Sequence, residues 1–314
     1  MKRLLKAAII VASTLLSYNT FAQQDAQFSH YMFNSLYLNP GNAGIEGMPK
    51  FTFIARNQWT GYNGTGGGAP QGQLFTASMP ILAIKSGIGL QIMNDQLGPM
   101  RNVDIQVSFS KHLDLAGGKL GLGLRGGVFN KSNNAVYKFT DAGDGKITEL
   151  DNQSVSGLNP DFALGAWYDH KKWYLGASVN HLVEFEFKDV NTKLQNHFYG
   201  TAGYKYQLSA PLLLTPSVLV KTDANQVSYE LSAMLTYNSK FWGGLSFRQQ
   251  DAIIPFIGLA MLKNNALKFG YAFDWTIVNV NGKAPGSHEI MLSYSLPPVM
   301  PVVKPVIRTP RYRF

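Results

Sequence analysis

The run GLGLRG at 121–126 has the G-x-G-x-x-G spacing of a dinucleotide-binding turn, in which glycines let the backbone close on a pyrophosphate. That chemistry needs a helix to start directly afterwards. Here the run lies inside a strand-like pattern with no helix behind it, so the motif fails its context. Residues 64–72 are rich in glycine but lack the Lys-Ser/Thr pair of a phosphate cradle. Asp141, Asp144 and Glu149, with Gly143 and Gly145 between them, offer oxygen ligands that could hold calcium. Their spacing is not that of an EF-hand, and a solvated acidic loop is the plainer account. The six histidines stand alone or beside unlike neighbours, none at metal-ligand spacing. His181, next to Asn180, could serve as the base of a membrane hydrolase only with a serine against it. Serine is so widespread here that this coincidence carries little weight. No catalytic, cofactor or metal residue is assigned, and no enzymatic activity is expected.

The elements that would have to position such groups are strands. In 227–237, Val227, Tyr229, Leu231, Ala233, Leu235 and Tyr237 alternate with Ser228, Glu230, Ser232, Met234 and Thr236. In 101–109, Val103, Ile105, Val107 and Phe109 alternate with Asn102, Asp104, Gln106 and Ser108. A period of two gives a strand two chemically different faces. About fourteen such segments follow one another from 51 to 296, and no stretch there has a comparable 3.6-residue period. Every second connection is tight, as at 114–118, 170–172, 209–211, 238–240 and 263–265. The intervening ones are mostly longer and polar, as at 61–72, 94–100, 130–159, 183–194 and 277–286, with short exceptions near 222–225 and 249–251. Short turns at one end and long loops at the other mark an outer-membrane barrel, with the turns periplasmic and the loops extracellular.

The expected fold is therefore all-β: a transmembrane antiparallel β-barrel with both termini periplasmic. Aromatics near the strand ends (Trp59, Tyr168, Tyr206, Tyr237, Trp275, Tyr294) fit the interfacial girdles. A charge facing lipid at mid-membrane costs about 2–4 kcal/mol. Arg56, Asp104, Arg125, Asp161, Lys205, Lys221, Glu230, Arg248, Lys268, Asp274 and Glu289 are thus assigned to the lumen. Their mixed signs suit a paired network better than an ion-selective pore. Small residues such as Gly89, Gly123, Gly165 and Gly270 also fall on that side.

Lys2, Arg3 and Lys6, the apolar run 7–16 and the small residues before position 23 make residues 1–22 a secretory signal. The apolar run is far shorter than the ~20 residues of a spanning helix. There is no cysteine, and the formal net charge is +9. No basic helix or basic-aromatic stripe accompanies that excess, so a nucleic-acid partner is excluded. Residues 23–50 form an N-terminal segment, 51–296 the barrel, and 297–314 a proline-rich basic tail.

Fourteen strands enclose more space than their own side chains fill. Phe28, Tyr31, Met32 and Leu36 fall on one face of a short helix that Asn39-Pro40 would end. Such a segment, entering from the periplasmic side, could plug the lumen; a frayed terminal arm is the alternative. The segment's sequence, QFSHYMFNSLYLNPGNAG, closely resembles the N-terminal hallmark of the PorP/SprF family of the type IX secretion and gliding system. The residues that carry the resemblance are Gln27, Phe28, Ser29, Tyr31, Met32, Phe33, Asn34, Leu38, Asn39, Pro40, Ala43 and Gly44. Further matches are Arg56-Asn57-Gln58-Trp59, Ser287-His288-Glu289-Ile290 and the terminal TPRYRF, while Ser35 and Gly41 stand where Pro and Ala are expected.

The resemblance implies an outer-membrane component that helps export or hold a large surface adhesin bearing a type B C-terminal domain. Its other partners would be membrane lipid and further secretion components, periplasmic ones among them. Arg308, Arg311, Tyr312, Arg313 and Phe314 are the candidate contacts of the tail with a periplasmic component, since arginines and aromatics are the usual hot spots of protein contacts. A porin or a transporter of hydrophobic substrates is the alternative.

Overall fold

The computed structural model describes residues 25–62, 68–134, 154–187, 192–223, 226–277 and 286–298. The wall consists of β1 (Lys50–Asn57), β2 (Gln71–Ile81), β3 (Ser86–Leu97), β4 (Met100–Leu115) and β5 (Gly118–Asn133). It continues through β6 (Val155–Asp169), β7 (Trp173–Asn180), and β8 (His197–Tyr204, carried on by Tyr206–Ser209). It is completed by β9 (Leu212–Thr222), β10 (Val227–Tyr237), β11 (Phe241–Arg248), β12 (Ala252–Met261), β13 (Leu267–Thr276) and β14 (Gly286–Ser295). Each strand pairs antiparallel with its sequence neighbours, and β1 closes on β14 from Lys50↔Ser295 to Asn57↔His288. Closure leaves no edge, so every wall strand finds partners on both sides, as a lipid solvent requires.

The two faces separate as the alternation dictates. Leu124, Leu158 and Ile257 are 59%, 62% and 64% exposed on the outside. Asn102, Asp104, Gln106, Ser108 and Ser110 along β4 are all buried on the inside. Large apolar side chains left this bare over a whole barrel circumference make a lipid-facing belt. Tyr206, Tyr237, Trp275 and Tyr294 project outward near its borders.

The turn asymmetry has one exception more than the sequence suggests. At the tight end, Ala116 and Gly117 both take positive φ, as a two-residue hairpin needs. The connection expected over 94–100 is also tight: β3 runs to Leu97 and β4 starts at Met100, leaving only Gly98-Pro99, with Gly98 at φ 61°. Of the longer connections, the one after β7 folds back on the barrel. Its ribbon, Glu186–Phe187 against Thr192–Lys193, places Phe187 and Leu194 at 1% and 2% exposure, and Phe187 packs on Phe129 of the wall with ring centroids 6.0 Å apart. The acidic residues Asp141, Asp144 and Glu149, the expected secretory signal over residues 1–22 and most of the basic tail lie outside the described residues.

Candidate functional site

The lumen is occupied by the protein's own N-terminal segment. The spacing of Phe28, Tyr31, Met32 and Leu36 suggests one helical face, but the chain instead makes three short turns: Tyr31–Phe33, Ser35–Leu38 and Pro40–Asn42. Phe28, Ser29, His30, Tyr31, Leu36, Tyr37, Leu38 and Asn39 are all buried. A helix period fails because wall surrounds the segment on every side, so no single face is preferred and local turns follow the wall's contacts. The direction of travel also differs from a simple entry at the tight-turn end. Asp25 lies beside His181 and His197, which flank the long connection between β7 and β8. Ala43 and Gly44, by contrast, rest against Gly87 next to a tight turn. The segment thus descends the lumen from the long-loop end before feeding β1.

Its first turn is held by a buried charge cluster. Glu289 accepts from Ser29 N at 2.7 Å, His30 N at 2.8 Å and His30 Nδ1 at 2.7 Å. Ser29 Oγ donates to Asp274 Oδ1 at 2.8 Å and accepts from Arg56 Nη1 at 2.8 Å. Arg56 Nη2 pairs with Asp274 at 2.7 Å, while Arg248 joins Asp274 at 3.0 Å and Glu230 at 2.8 Å. Arg56, Arg248, Glu230, Asp274 and Glu289 are each no more than 6% exposed. Desolvating such charges offsets most of their attraction, so a network of this kind adds little net stability. What it does supply is a specific acceptor for two backbone N–H groups that would otherwise be orphaned in the lumen.

The lower turns dock on the opposite wall. Arg125 Nη1 donates to Tyr37 O at 2.8 Å and Leu36 O at 3.3 Å, satisfying carbonyls at the end of the one-turn helix. Asn39 Nδ2 reaches Ala166 O at 2.9 Å and Ala177 O at 3.0 Å, and its Oδ1 accepts from Gly41 N at 2.8 Å. Asn39 therefore caps the Pro40 turn and fastens it to two strands at once. The glycines of the 121–126 run have their physical reason here. A Cβ on Gly123 would sit 2.3 Å from Gly41 N, and one on Gly121 would sit 2.1 Å from Gly41 O. Gly165 is equally constrained, with Asn39 Oδ1 at 2.1 Å from its Cβ position.

The remaining lumen candidates are spread along the wall. Asp104 accepts from Gln91 at 2.7 Å, and Asp161 faces His181 Nδ1 at 2.9 Å. Lys268 lies 5.9 Å from the centre of the Phe33 ring. Lys205 is at the tight-turn rim, 3.7 Å from Asp169 and partly exposed. Lys221 lines a small cavity with Asp25, His197 and Tyr199. Arg308, Arg311, Tyr312, Arg313 and Phe314 lie outside the described residues. Spacing gave no hint of the group Asp25, His181 and His197, because the three positions meet only after the barrel closes. Burial alone would raise the Asp25 carboxyl; the two imidazoles beside it more than offset that and hold it well below the ordinary carboxylate range. His181 has carboxylates at both ring nitrogens, Asp25 at 2.8 Å and Asp161 at 2.9 Å, so no serine stands at its base position.

A closed antiparallel barrel with a lipid-facing belt and a lumen filled by its own N-terminal segment is an outer-membrane β-barrel. The chain belongs to the family of type IX secretion system membrane proteins PorP/SprF, which it matches over residues 20–294. It is thus an outer-membrane component of the type IX secretion system. No curated protein matches the sequence. Among solved structures, the barrel is similar to the toluene transporter TbuX of Ralstonia pickettii at 12% identity and a TM-score of 0.50, over 83% of this chain and 92% of that one. It is also similar to the monoaromatic hydrocarbon channel CymD, at 12% identity and a TM-score of 0.51 over 83% and 91% of the two chains. The TodX deltaS2S3 mutant channel gives 10% identity and a TM-score of 0.51 over 86% and 94%. Likeness at this level of identity establishes the shared barrel fold alone.

Proposed function

We propose that this chain helps export or hold a large surface adhesin with a type B C-terminal domain, as part of gliding or attachment. The observation that supports this reading is the filled lumen: buried turns, a buried charge cluster and a wall that touches the segment backbone to backbone. A barrel occupied in this way suits a platform for partner proteins better than a diffusive pore. In this reading residues 1–22 are removed as a secretory signal, the tight turns face the periplasm, and the tail from 297 binds a periplasmic component of the machinery. Arg308, Arg311, Tyr312, Arg313 and Phe314 would make that contact.

Deleting residues 308–314 is expected to leave a folded, heat-modifiable barrel in the outer membrane while the adhesin disappears from the cell surface. Whole-cell immunoblots of the adhesin and gel shifts of the barrel read the two outcomes separately. Normal display of the adhesin would remove the tail from the proposal, and loss of the barrel itself would assign the tail to assembly. Orientation has its own test. A tag within 135–153 should be labelled on intact cells, and a tag within 170–172 only after the outer membrane is opened. The reverse pattern would turn the barrel over.

TbuX, CymD and TodX are a transporter and channels for aromatic hydrocarbons, and the second reading is a transporter of hydrophobic substrates. It requires uptake of such a compound that depends on this barrel. The docked segment favours the first reading, because transport would need it displaced.

A further inference from the structure

At the long-loop end of the lumen, three ligand-type side chains from distant parts of the chain converge. Oxygen or nitrogen atoms of Asp25, His181 and His197 all lie within 4.8 Å of one another. His181 Nε2 is 2.8 Å from Asp25 Oδ1, and His197 Nδ1 is 3.5 Å from Asp25 Oδ2. Atoms bound to one tetrahedral zinc ion stand about 3.3 Å apart, given bonds of about 2.0–2.1 Å. The cluster already has that scale.

Two further observations point to a ligand. His197 is 5% exposed, yet neither of its ring nitrogens makes a hydrogen bond. Its nearest carboxylate oxygen, Asp25 Oδ2 at 3.5 Å, makes an ion contact but no hydrogen bond, so the buried imidazole keeps both ring nitrogens open to a ligand. His181 presents one nitrogen to the cluster while the other faces the Asp161 carboxylate at 2.9 Å. That carboxylate–histidine pairing is how metal-bound imidazoles are oriented and made more basic. Tyr199 OH donates to Asp25 Oδ2, the oxygen that His197 also faces, fixing the carboxylate in turn.

We propose that Asp25, His181 and His197 bind a divalent first-row transition ion of the zinc class. Two imidazoles and a carboxylate suit zinc, with a fourth position left for water. The ion would fasten the start of the N-terminal segment to β8 and to the residue that follows β7. Asp25 and Asp161 supply two negative charges to offset it, and the adjoining cavity is lined by both Lys221 and Asp223. The function of such a site is structural: it closes the top of the plug, as the charge cluster holds the turn below.

The test uses the full mature chain folded in detergent, its fold verified by heat-modifiable migration. After chelator treatment and dialysis against ZnCl2, the parent should retain about one zinc per chain through gel filtration, and Co2+ in its place should give visible d–d bands. Asp25→Asn and His197→Ala should each lower the apparent zinc affinity by about a hundredfold or more while migration stays unchanged. His170→Ala, in an exposed tight turn, should bind as the parent does. A parent that retains no zinc overturns the proposal and leaves His181 as a charge bridge between two carboxylates. Retention unaltered in both cluster variants overturns it as well, by placing the metal elsewhere. Metal content is read without any export assay, so the result stands apart from the secretion reading.

Discussion

Replacing Glu289 with alanine is expected to release the N-terminal segment while the barrel stays closed. Glu289 is fully buried and receives Ser29 N, His30 N and His30 Nδ1 within 2.8 Å. Hydrogen bonds to a charged acceptor contribute about 1.5–3 kcal/mol each. Removing the acceptor leaves two backbone N–H groups unpaired in the lumen and takes one negative partner from Arg56, which lies 3.5 Å away. Breaking one partner out of a buried ionic cluster costs about 3–5 kcal/mol. The wall has little part in that loss, since β14 keeps its backbone ladder to β1 and β13. About 3 kcal/mol is a hundredfold rise in the undocked fraction. Limited proteolysis of outer-membrane vesicles should therefore cut within residues 27–44 roughly a hundred times faster than in the parent, with unaltered heat-modifiable migration. Glu289→Gln keeps one carbonyl acceptor and should fall between the two. If Glu289→Ala is cut at the parent rate, the carboxylate is not what holds the segment.

What could be seen in the amino-acid order is the part that depends on neighbours in sequence. Alternation in 101–109 and 227–237 is a property of adjacent residues, and it places Asp104 and Glu230 inside and Val107 and Leu231 outside, as found. The strand number follows from the same signal. Where the pattern and the fold part company, contacts between distant residues decide. Phe28, Tyr31, Met32 and Leu36 have helical spacing, but wall groups such as Arg125 and Glu289 compete for the same backbone and break the segment into turns. Ser29 meets Glu289 across 260 residues, and no local pattern encodes that register. His30 is not among the residues that carry the family resemblance, and only the burial of its ring reveals that it is a docking residue. His181 was visible as an isolated histidine; its neighbours Asp25 and His197 arrive from the plug and from the next strand. Gly98-Pro99 reads as part of a loop because proline ends ladders, yet one positive-φ glycine lets the two strands run up to it.

Introducing valine at Gly123 should expel the lower turns of the segment without touching a single charge. The glycine lies on the lumen face of β5, where a Cβ would stand 2.3 Å from both Gly41 N and the carbonyl carbon of Pro40. Both obstacles are backbone atoms. They cannot rotate away, and Gly41 is itself held by Asn39 Oδ1 at 2.8 Å and by Ser110 Oγ, which donates to Gly41 O at 2.9 Å. Overpacking costs about 1–3 kcal/mol where side chains can adjust, and a backbone collision belongs at or above the top of that range. Gly89→Ala is the contrasting case. There the nearest atoms are the ends of the Leu36 side chain at 2.8 and 2.9 Å, which can turn aside, so the segment should stay docked. The barrel strands themselves welcome valine, a good strand residue, so the wall should insert normally. Once the turns leave, the interior of a barrel this wide is open to water. Planar-bilayer recordings should then show conducting steps for Gly123→Val, matched by a chain lacking residues 25–45, while the parent and Gly89→Ala stay closed. If Gly123→Val inserts and remains closed, the wall does not need glycine there to seat the segment, and the lumen is sealed by something other than these turns.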